Sequence, residues 1–496
     1  MMASEMTATG SVSPSNEAID KVGEDAGRET GETLSSARHP RVIILGGGFA
    51  GLHAAQGLAS MPVDVTLIDR RNHHTFQPLL YQVALAVLSP ADIAQPIRSI
   101  LRNQSNAQVL MDEVTAIHTA APTSDHASCG WVELATGAHL AYDYLIVATG
   151  ATHSYFGKDE WAPYAPGLKT IEDALEIRRR VLLAFELAER QMQEQGWHGA
   201  LNFVVIGGGP TGVELAGAIR DITALNLKHD FRHIDPSKAR VLLVEGSPRV
   251  LGTYPADLSA KAEEALKRLG VEVLTSSRIT AVGPGWVKIG DQKIDAAVTL
   301  WAAGVQGSPV GKLLGVPLDH RGCVVVNDRL NPPGLPEVFV LGDLAHLEID
   351  GKQIPGVAQP AMQMGDHVRR MIAADLAKRP RPPFHYFDKG DLATIGRTNA
   401  VASIRWPFRT HWSGFPAWLI WIVVHIFFLI GLRNRLFVFS TWVWTYFTFT
   451  RGARLITGDL NLPGWPQHRP TPPLDSPTRP PEPATNETPA ENAGSV

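Results

Sequence analysis

Two short glycine-rich stretches have the composition and spacing to hold the phosphates of a dinucleotide. They are Gly46-Gly47-Gly48-Phe49-Ala50-Gly51 and Gly207-Gly208-Gly209-Pro210-Thr211-Gly212. The first follows the apolar run Val42 to Leu45, the second follows Phe203 to Ile206, and each opens a stretch of small residues. This is the G-x-G-x-x-G pattern between a strand and a helix. The first glycine lets the strand turn tightly, the second lets backbone approach a pyrophosphate, and the third lets helix and strand pack closely. The helix start then offers free N–H groups to the phosphates. An acid closes each unit. Val65 to Ile68 ends at Asp69, with Arg70 beside it, and Val241 to Val244 ends at Glu245. A carboxylate there can accept hydrogen bonds from a ribose hydroxyl. Two units suggest two dinucleotides, one of which could be a flavin that stays and the other a nicotinamide that comes and goes.

The elements that position these turns repeat as well. Tyr144 to Val147 reads as a strand ending in Ala148-Thr149-Gly150. Val298 to Leu300 leads into Trp301-Ala302-Ala303-Gly304, and Val338 to Leu341 into Gly342-Asp343. Ligands gather at the carboxyl ends of strands in doubly wound sheets. Asp343 is placed either for a ribityl hydroxyl or for capping the next segment. The acid follows the last glycine by 18 residues in the first unit and by 33 in the second. The extra length falls in Asn226 to Arg240, expected as an extended helix end and loop. The fold class is therefore α/β with two Rossmann-like dinucleotide-binding domains.

Composition narrows the chemistry. The chain has 496 residues and a net charge of −4, which gives no strong pull on nucleic acid. Its two cysteines, Cys129 and Cys323, are isolated, so no disulfide framework, metal site or iron–sulfur ligand set is expected. The adjacent His73 and His74 read as loop or packing residues. Residues 1–37 hold seven acids against Lys21 and Arg28, with few large apolar residues, and should be disordered. They resemble neither a secretory signal nor a transit peptide, so the catalytic body is expected in the cytoplasm. The Pro-rich residues 461–496 are expected as a flexible tail.

The C-terminal third is different. Leu392 to Gly458 contains no Asp or Glu but seven Arg, and six of the twelve Trp lie between Trp406 and Trp444. Residues 410–432 and 436–450 carry no charged side chain, and Arg433 and Arg435 separate the two runs. The first run is long enough to span a bilayer; the second is short for that. Arginines flank both ends of the first, which gives no inside–outside asymmetry. Two helices lying in one leaflet, Trp at headgroup level and Arg on anionic lipid, fit best. A true span and a buried hairpin in a core or dimer interface remain the alternatives.

Electrons passed to a flavin need an exit. The segment Phe76-Gln77-Pro78-Leu79-Leu80-Tyr81-Gln82-Val83 has no redox-active cysteine pair, so the acceptor comes from outside. A membrane-seeking C-terminus points to a quinone. The sequence resembles the type II NADH dehydrogenases, single-subunit NADH:quinone oxidoreductases, especially actinobacterial members. The resemblance covers about residues 38–460. It rests on both glycine turns, Phe76 to Gln82, Val340-Leu341-Gly342-Asp343, Ala358-Gln359-Pro360-Ala361-Met362-Gln363 and Tyr386-Phe387-Asp388-Lys389-Gly390.

That resemblance implies FAD on the first turn and NADH on the second, with the NADH domain inserted in the FAD domain. It divides the chain into an FAD-binding part (38–165), an NADH-binding part (166–296), a second FAD-binding part (297–385) and a membrane-anchoring region (386–460). It places Gly46, Gly48, Phe49, Ala50, Gly51, Asp69, Arg70, Ala148, Thr149, Gly150, Gly342, Asp343, Ala358 and Gln359 around FAD. It places Gly207, Gly209, Pro210, Thr211, Gly212, Glu214, Glu245, Ala303 and Gly304 around NADH. Gln359 and Gln363, four apart and so on one helix face, would meet a quinone carbonyl or the flavin edge. Glu214 and Lys389 would relay or hold a proton, or form a structural ion pair. A membrane quinone (menaquinone or ubiquinone), a lipid surface, a homodimer and no proton pumping are implied too. The location would be the cytoplasmic face of the plasma membrane, peripheral or monotopic. A soluble reductase of a ferredoxin-like carrier and a non-catalytic NADH-binding sensor share the first part of this pattern but leave the Trp- and Arg-rich C-terminus unexplained.

Overall fold

The computed structural model describes residues 38–119, 129–195, 201–448 and 452–458; the expectations for residues 1–37 and 461–496 lie outside them. The body from Pro40 onward is one compact unit. It begins with β1 (Arg41–Leu45), α1 (Phe49–Gly57), β2 (Asp64–Asp69), the short helix α2 (Leu80–Ala84), β3 (Ala107–Met111) and β4 (Tyr144–Val147). A long helix, α3 (Ile171–Gln195), then leads into a second unit: β5 (Asn202–Ile206), α4 (Pro210–Asp221), β6 (Arg240–Val244), α5 (Ala256–Leu269), β7 (Val271–Leu274) and β8 (Val298–Trp301). The chain returns to the first sheet with β9 (Val338–Val340).

The first sheet has the order β9-β4-β1-β2-β3 and is parallel throughout. The second has the order β7-β6-β5-β8 and is also parallel. Sheets covered on both faces need strands apolar throughout. Val42 to Leu45, Phe203 to Ile206 and Val241 to Val244 are accordingly all buried. The second sheet thus lies, in sequence, between two strands of the first. A π-turn over Ile222–Asn226 extends α4 just ahead of the expected stretch, and Asn226 to Arg240 itself is loop with one short 3-10 turn, Pro236–Lys238, before β6.

The remaining elements are α6 (Ala358–Leu376), the antiparallel strands β10 (Gly390–Ile395), β11 (Asn399–Ile404) and β12 (Thr410–Gly414), and the helices α7 (Phe415–Phe428) and α8 (Leu432–Thr448). Two glycines bring helices close to backbone. A Cβ on Gly365 of α6 would stand 2.4 Å from the carbonyl oxygen of Ala50 on α1. One on Gly217 of α4 would stand 2.6 Å from the backbone nitrogen of Gly396, in the β10–β11 turn.

The apolar stretch 410–432 is not one helix. Its first five residues pair as an edge strand with β11, and Gly414, at φ +74°, turns the chain into a helix of 14 residues. Among the described residues no helix is long and apolar enough to cross a membrane. The region from residue 386 therefore begins with a sheet packed on the second unit, and only then presents its two apolar helices.

Candidate active site

At the first turn, Gly46 has φ +100°, and a Cβ there would sit 2.6 Å from the carbonyl oxygen of Ala148. A Cβ on Gly51 would sit 1.9 Å from the carbonyl oxygen of Gly46, whereas one on Gly48 meets nothing within 4 Å. The turn is thus closed behind and open in front. Asp69 braces it: Oδ2 accepts from the N–H of Gly47 at 2.6 Å and Oδ1 from that of Arg71 at 2.7 Å. His74 braces it from below, its Nδ1 donating to the carbonyl oxygen of Gly47 at 2.9 Å. Burial holds His74 down to about 4, so its ring is neutral at pH 7, and it meets Phe49 edge-on at 5.0 Å.

The second turn repeats this design. Gly207 has φ +107° beside Ala302 and Ala303, and a Cβ on Gly212 would sit 1.8 Å from the carbonyl oxygen of Gly207. Gly209 again faces open space. Glu245 braces the turn as Asp69 does, Oε2 accepting from the N–H of Gly208 at 2.5 Å and Oε1 from that of Ser247 at 2.6 Å. The carbonyl of Gly208, however, accepts from the backbone N–H of Leu251 at 2.7 Å rather than from a side chain.

A cavity of about 1340 Å³ starts at the first turn and runs past Arg70, Ala148-Thr149-Gly150, Gly342-Asp343 and Ala358-Gln359. It takes in Pro210, Thr211, Glu214 and Gly304 of the second unit, and ends against Lys389, His425 and Phe428. Gly207, Gly209, Gly212, Ala303 and Glu245 do not line it. The hydroxyl of Thr149 is buried without a partner beside this space. A flavin nucleotide fits these features: an open cradle that a side chain at Gly48 would fill, an uncapped helix start there and a buried hydroxyl awaiting a bond. Lys169, which sequence reasoning missed, places Nζ 3.7 Å from Oδ2 of Asp343 on the cavity wall. No motif flags it, because it lies in the loop before α3.

Glu214, two residues into α4 after the last glycine of the turn, faces the same cavity. Desolvation pushes its carboxyl up to about 8, against one opposing hydrogen bond from the N–H of Thr394 on β10. Lys389 lines the cavity too, with Nζ over the ring of Phe428 at 5.5 Å. Among the described residues no ion pair joins it to Glu214. The two glutamines do share one face of α6, and that face holds backbone. Nε2 of Gln359 donates to the carbonyl of Gly390 at 2.8 Å, and its Oε1 accepts from the N–H of Lys389 at 3.4 Å. Gln363 exchanges two bonds with Phe387, both at 2.9 Å, and lies outside the cavity lining. Together they fix the segment that carries Lys389.

His425 of α7 was also missed. Its Nδ1 donates to the carbonyl of Trp421 at 2.7 Å, its ring stacks on that indole at 4.0 Å, and burial holds it down to about 4. It is a neutral polar group in an otherwise apolar wall. The described residues contain no group of three or more His, Cys, Asp or Glu able to hold a metal.

The scaffold and the paired turns define a class. Residues 40–365 match the pyridine nucleotide-disulphide oxidoreductase family, and residues 389–451 match the NDH2 C-terminal domain. The type II NADH:quinone oxidoreductase Ndh of Mycobacterium tuberculosis is 44% identical over 438 residues, covering 86% of this chain and 92% of that protein. NdhA of the same organism is 42% identical, covering 87% and 92%. Among solved structures, NDH2 of Plasmodium falciparum in complex with NADH superposes with a TM-score of 0.73 at 22% identity, covering 85% of this chain and 100% of that one. The chain belongs to the type II NADH:quinone oxidoreductases, and is an oxidoreductase of flavin and pyridine nucleotide.

Proposed function

We propose that the chain is a peripheral membrane enzyme that binds FAD at Gly46 to Gly51, takes NADH at Gly207 to Gly212, and reduces a membrane quinone without pumping protons. The observation that carries this is the single cavity joining the first turn, Glu214 of the second unit and the apolar wall of α7. When bound, FAD supplies the redox chemistry, accepting a hydride from NADH and yielding two electrons to quinone. The chain supplies position and protons. Asp69, Thr149, Lys169 and Asp343 would hold the flavin nucleotide. Glu245 would favour NADH, since its charge opposes a 2′-phosphate. Glu214, protonated at neutral pH, holds one of the two protons a quinol requires. Gln359 and Gln363 act by fixing Phe387 to Gly390, which brings Lys389 to the quinone end.

The apolar helices support the membrane assignment. Val423 and Phe427 of α7 and Leu432, Trp444 and Phe447 of α8 are each at least 65% exposed. Such a surface on a monomer marks an interaction site. Lying in one leaflet at the cytoplasmic face would bring the cavity end at Phe428 near dissolved quinone. No bundle of apolar spans carrying ionisable groups exists among the described residues to support pumping. A homodimer remains part of this proposal.

The test is NADH oxidation by purified protein, with and without a quinone, followed at the flavin absorbance. Rapid bleaching by NADH and recolouring only on added quinone are expected. Recolouring by a small iron–sulfur carrier but not by quinone would favour the soluble-reductase alternative. Replacing Phe427 and Phe447 with Glu should abolish sedimentation with vesicles while leaving NADH-driven bleaching intact. Truncation after Trp406 is a poorer test, because it also removes the cavity wall formed by α7.

A further inference from the structure

A line of buried polar side chains runs from α8 to Thr394, beside Glu214. Trp442 of α8 donates its indole N–H to Oε1 of Gln82 at 2.7 Å. Nε2 of Gln82 donates to the hydroxyl of Tyr81 at 3.1 Å. That hydroxyl lies 3.0 Å from Oγ1 of Thr394. Thr394 sits on β10, which packs on α4, and its backbone N–H faces the carboxyl of Glu214. Trp442, Gln82, Tyr81 and Thr394 are all at most 8% exposed.

The order of donors follows from the first member. An indole only donates, so it can meet only the oxygen of the Gln82 amide. That choice turns the amide NH₂ toward Tyr81. The phenol oxygen accepts there, and the phenol shares its next bond with Oγ1 of Thr394. Buried bonds in such a row polarise one another, and a member left unpaired costs far more than in water.

The middle of the row and its Glu214 end are held by packing. Helix α2, which carries Tyr81 and Gln82, is pinned on its far side by Arg178, whose buried guanidinium donates to the carbonyls of Val83 and Leu88, each at 2.8 Å. At the other end, Gly217 lets α4 lie directly on the β10–β11 turn. A shift of α8 at Trp442 therefore has a direct route to Thr394.

We infer that Trp442, Gln82 and Tyr81 are positioning residues for Glu214, coupling the seat of α8 on the body to the placement of that carboxyl through Thr394. The inference rests on the reading of Glu214 as the group that holds a proton for quinone reduction. Because Trp444 and Phe447 of α8 point to the outside, the surface that receives them loads the same helix.

The test uses the flavin-loaded full chain and two readouts. One is the infrared C=O stretch of the protonated Glu214 carboxyl, identified as the band lost in Glu214→Gln. The other is the pair of half-reactions followed by stopped flow. Trp442→Phe keeps an aromatic ring and removes the donor; Tyr81→Phe cuts the row nearer Thr394. Each should shift the carboxyl band and slow reoxidation by a short-chain quinone about five- to tenfold, the scale of one buried hydrogen bond. Reduction by NADH should change less than about twofold, and the double variant should lose little more than either single one. An unmoved band in both variants overturns the coupling, as does equal slowing of both half-reactions, which would mark packing alone. If Glu214→Gln leaves reoxidation unchanged, the proton-holding role falls, while a band shift in Trp442→Phe still upholds the coupling.

Discussion

The two glycine turns share one backbone design and differ in what stands around it. In both, the first glycine has a left-handed φ, the last lies under the first carbonyl, and a strand-end acid grips the middle N–H. The first turn lines the large cavity from Gly46 to Ala50, with only Gly51 behind it, and its middle carbonyl is held by the buried imidazole of His74. The second lends the cavity only its helix start, and its middle carbonyl is held by backbone. The residue two places past the turn differs as well. His53 on α1 pairs with Asp366 at 3.0 Å toward the outside, whereas Glu214 on α4 faces the cavity. On the proposed reading, one design would serve a ligand enclosed by the cavity at the first turn and one that only reaches into it from the second.

The sharpest way to break this distinction is a methyl group at the last glycine of each turn. Gly51→Ala and Gly212→Ala place a Cβ within 2 Å of a carbonyl oxygen, so the steric insult is matched. Gly51→Ala should weaken flavin retention about 100-fold and yield colourless protein. Gly212→Ala should stay yellow and raise the KM for NADH by a similar factor. Loss of colour in both variants would erase the distinction between an enclosed and an open site. The next effect belongs to the acids. Glu245→Arg should shift preference toward NADPH by on the order of tenfold, measured as a ratio of kcat/KM values. Since Glu245 also holds the N–H of Gly208, Glu245→Gln is the control that separates charge from support.

Much of this was legible because it is local. A glycine turn, the apolar run before it and the acid at the next strand end all lie within one βαβ unit, and the strands needed only their apolar runs. What was not legible depends on pairs far apart in sequence. Trp442 meets Gln82 across 360 positions, and no period in either segment announces it. Lys169 gains meaning only when the loop before α3 comes beside Asp343. The charge-free stretch 410–432 hid an edge strand, because Thr410 to Gly414 carries no charge and Gly414 alone marks the break. The glutamine spacing put Gln359 and Gln363 on one face, but spacing does not say that their amides bond the backbone between Phe387 and Gly390.

Glu214 gives the comparison a thermodynamic edge. Its carboxyl is raised from 4.5 to about 8 in the folded chain, so between those values the folded state holds a proton that the unfolded state has lost. The stability that Glu214 contributes must then fall as pH rises from about 4.5 to about 8, and level off above. Glu214→Gln should flatten that fall, measured as the urea midpoint of flavin-free protein across the window. A variant that loses stability with pH as steeply as the parent would show that water reaches Glu214 freely.

The smallest effect is expected at His74, and it has the opposite sign. Its folded value of about 4 lies below the unfolded 6.5, so between them the unfolded chain binds the extra proton. Stability contributed here is present above pH 6.5 and is lost as pH falls toward 4. Many carboxylates titrate in the same acid range, so the informative quantity is the difference between parent and His74→Phe. That variant keeps the edge-on contact with Phe49, cannot be protonated, and leaves the carbonyl of Gly47 without its donor. It should weaken flavin binding about fivefold, leave the KM for NADH unchanged, and lose less stability than the parent from pH 6.5 to 4. An NADH effect as large as the flavin effect would mean that the support beneath the first turn reaches the second, and that the two turns are not independent sites.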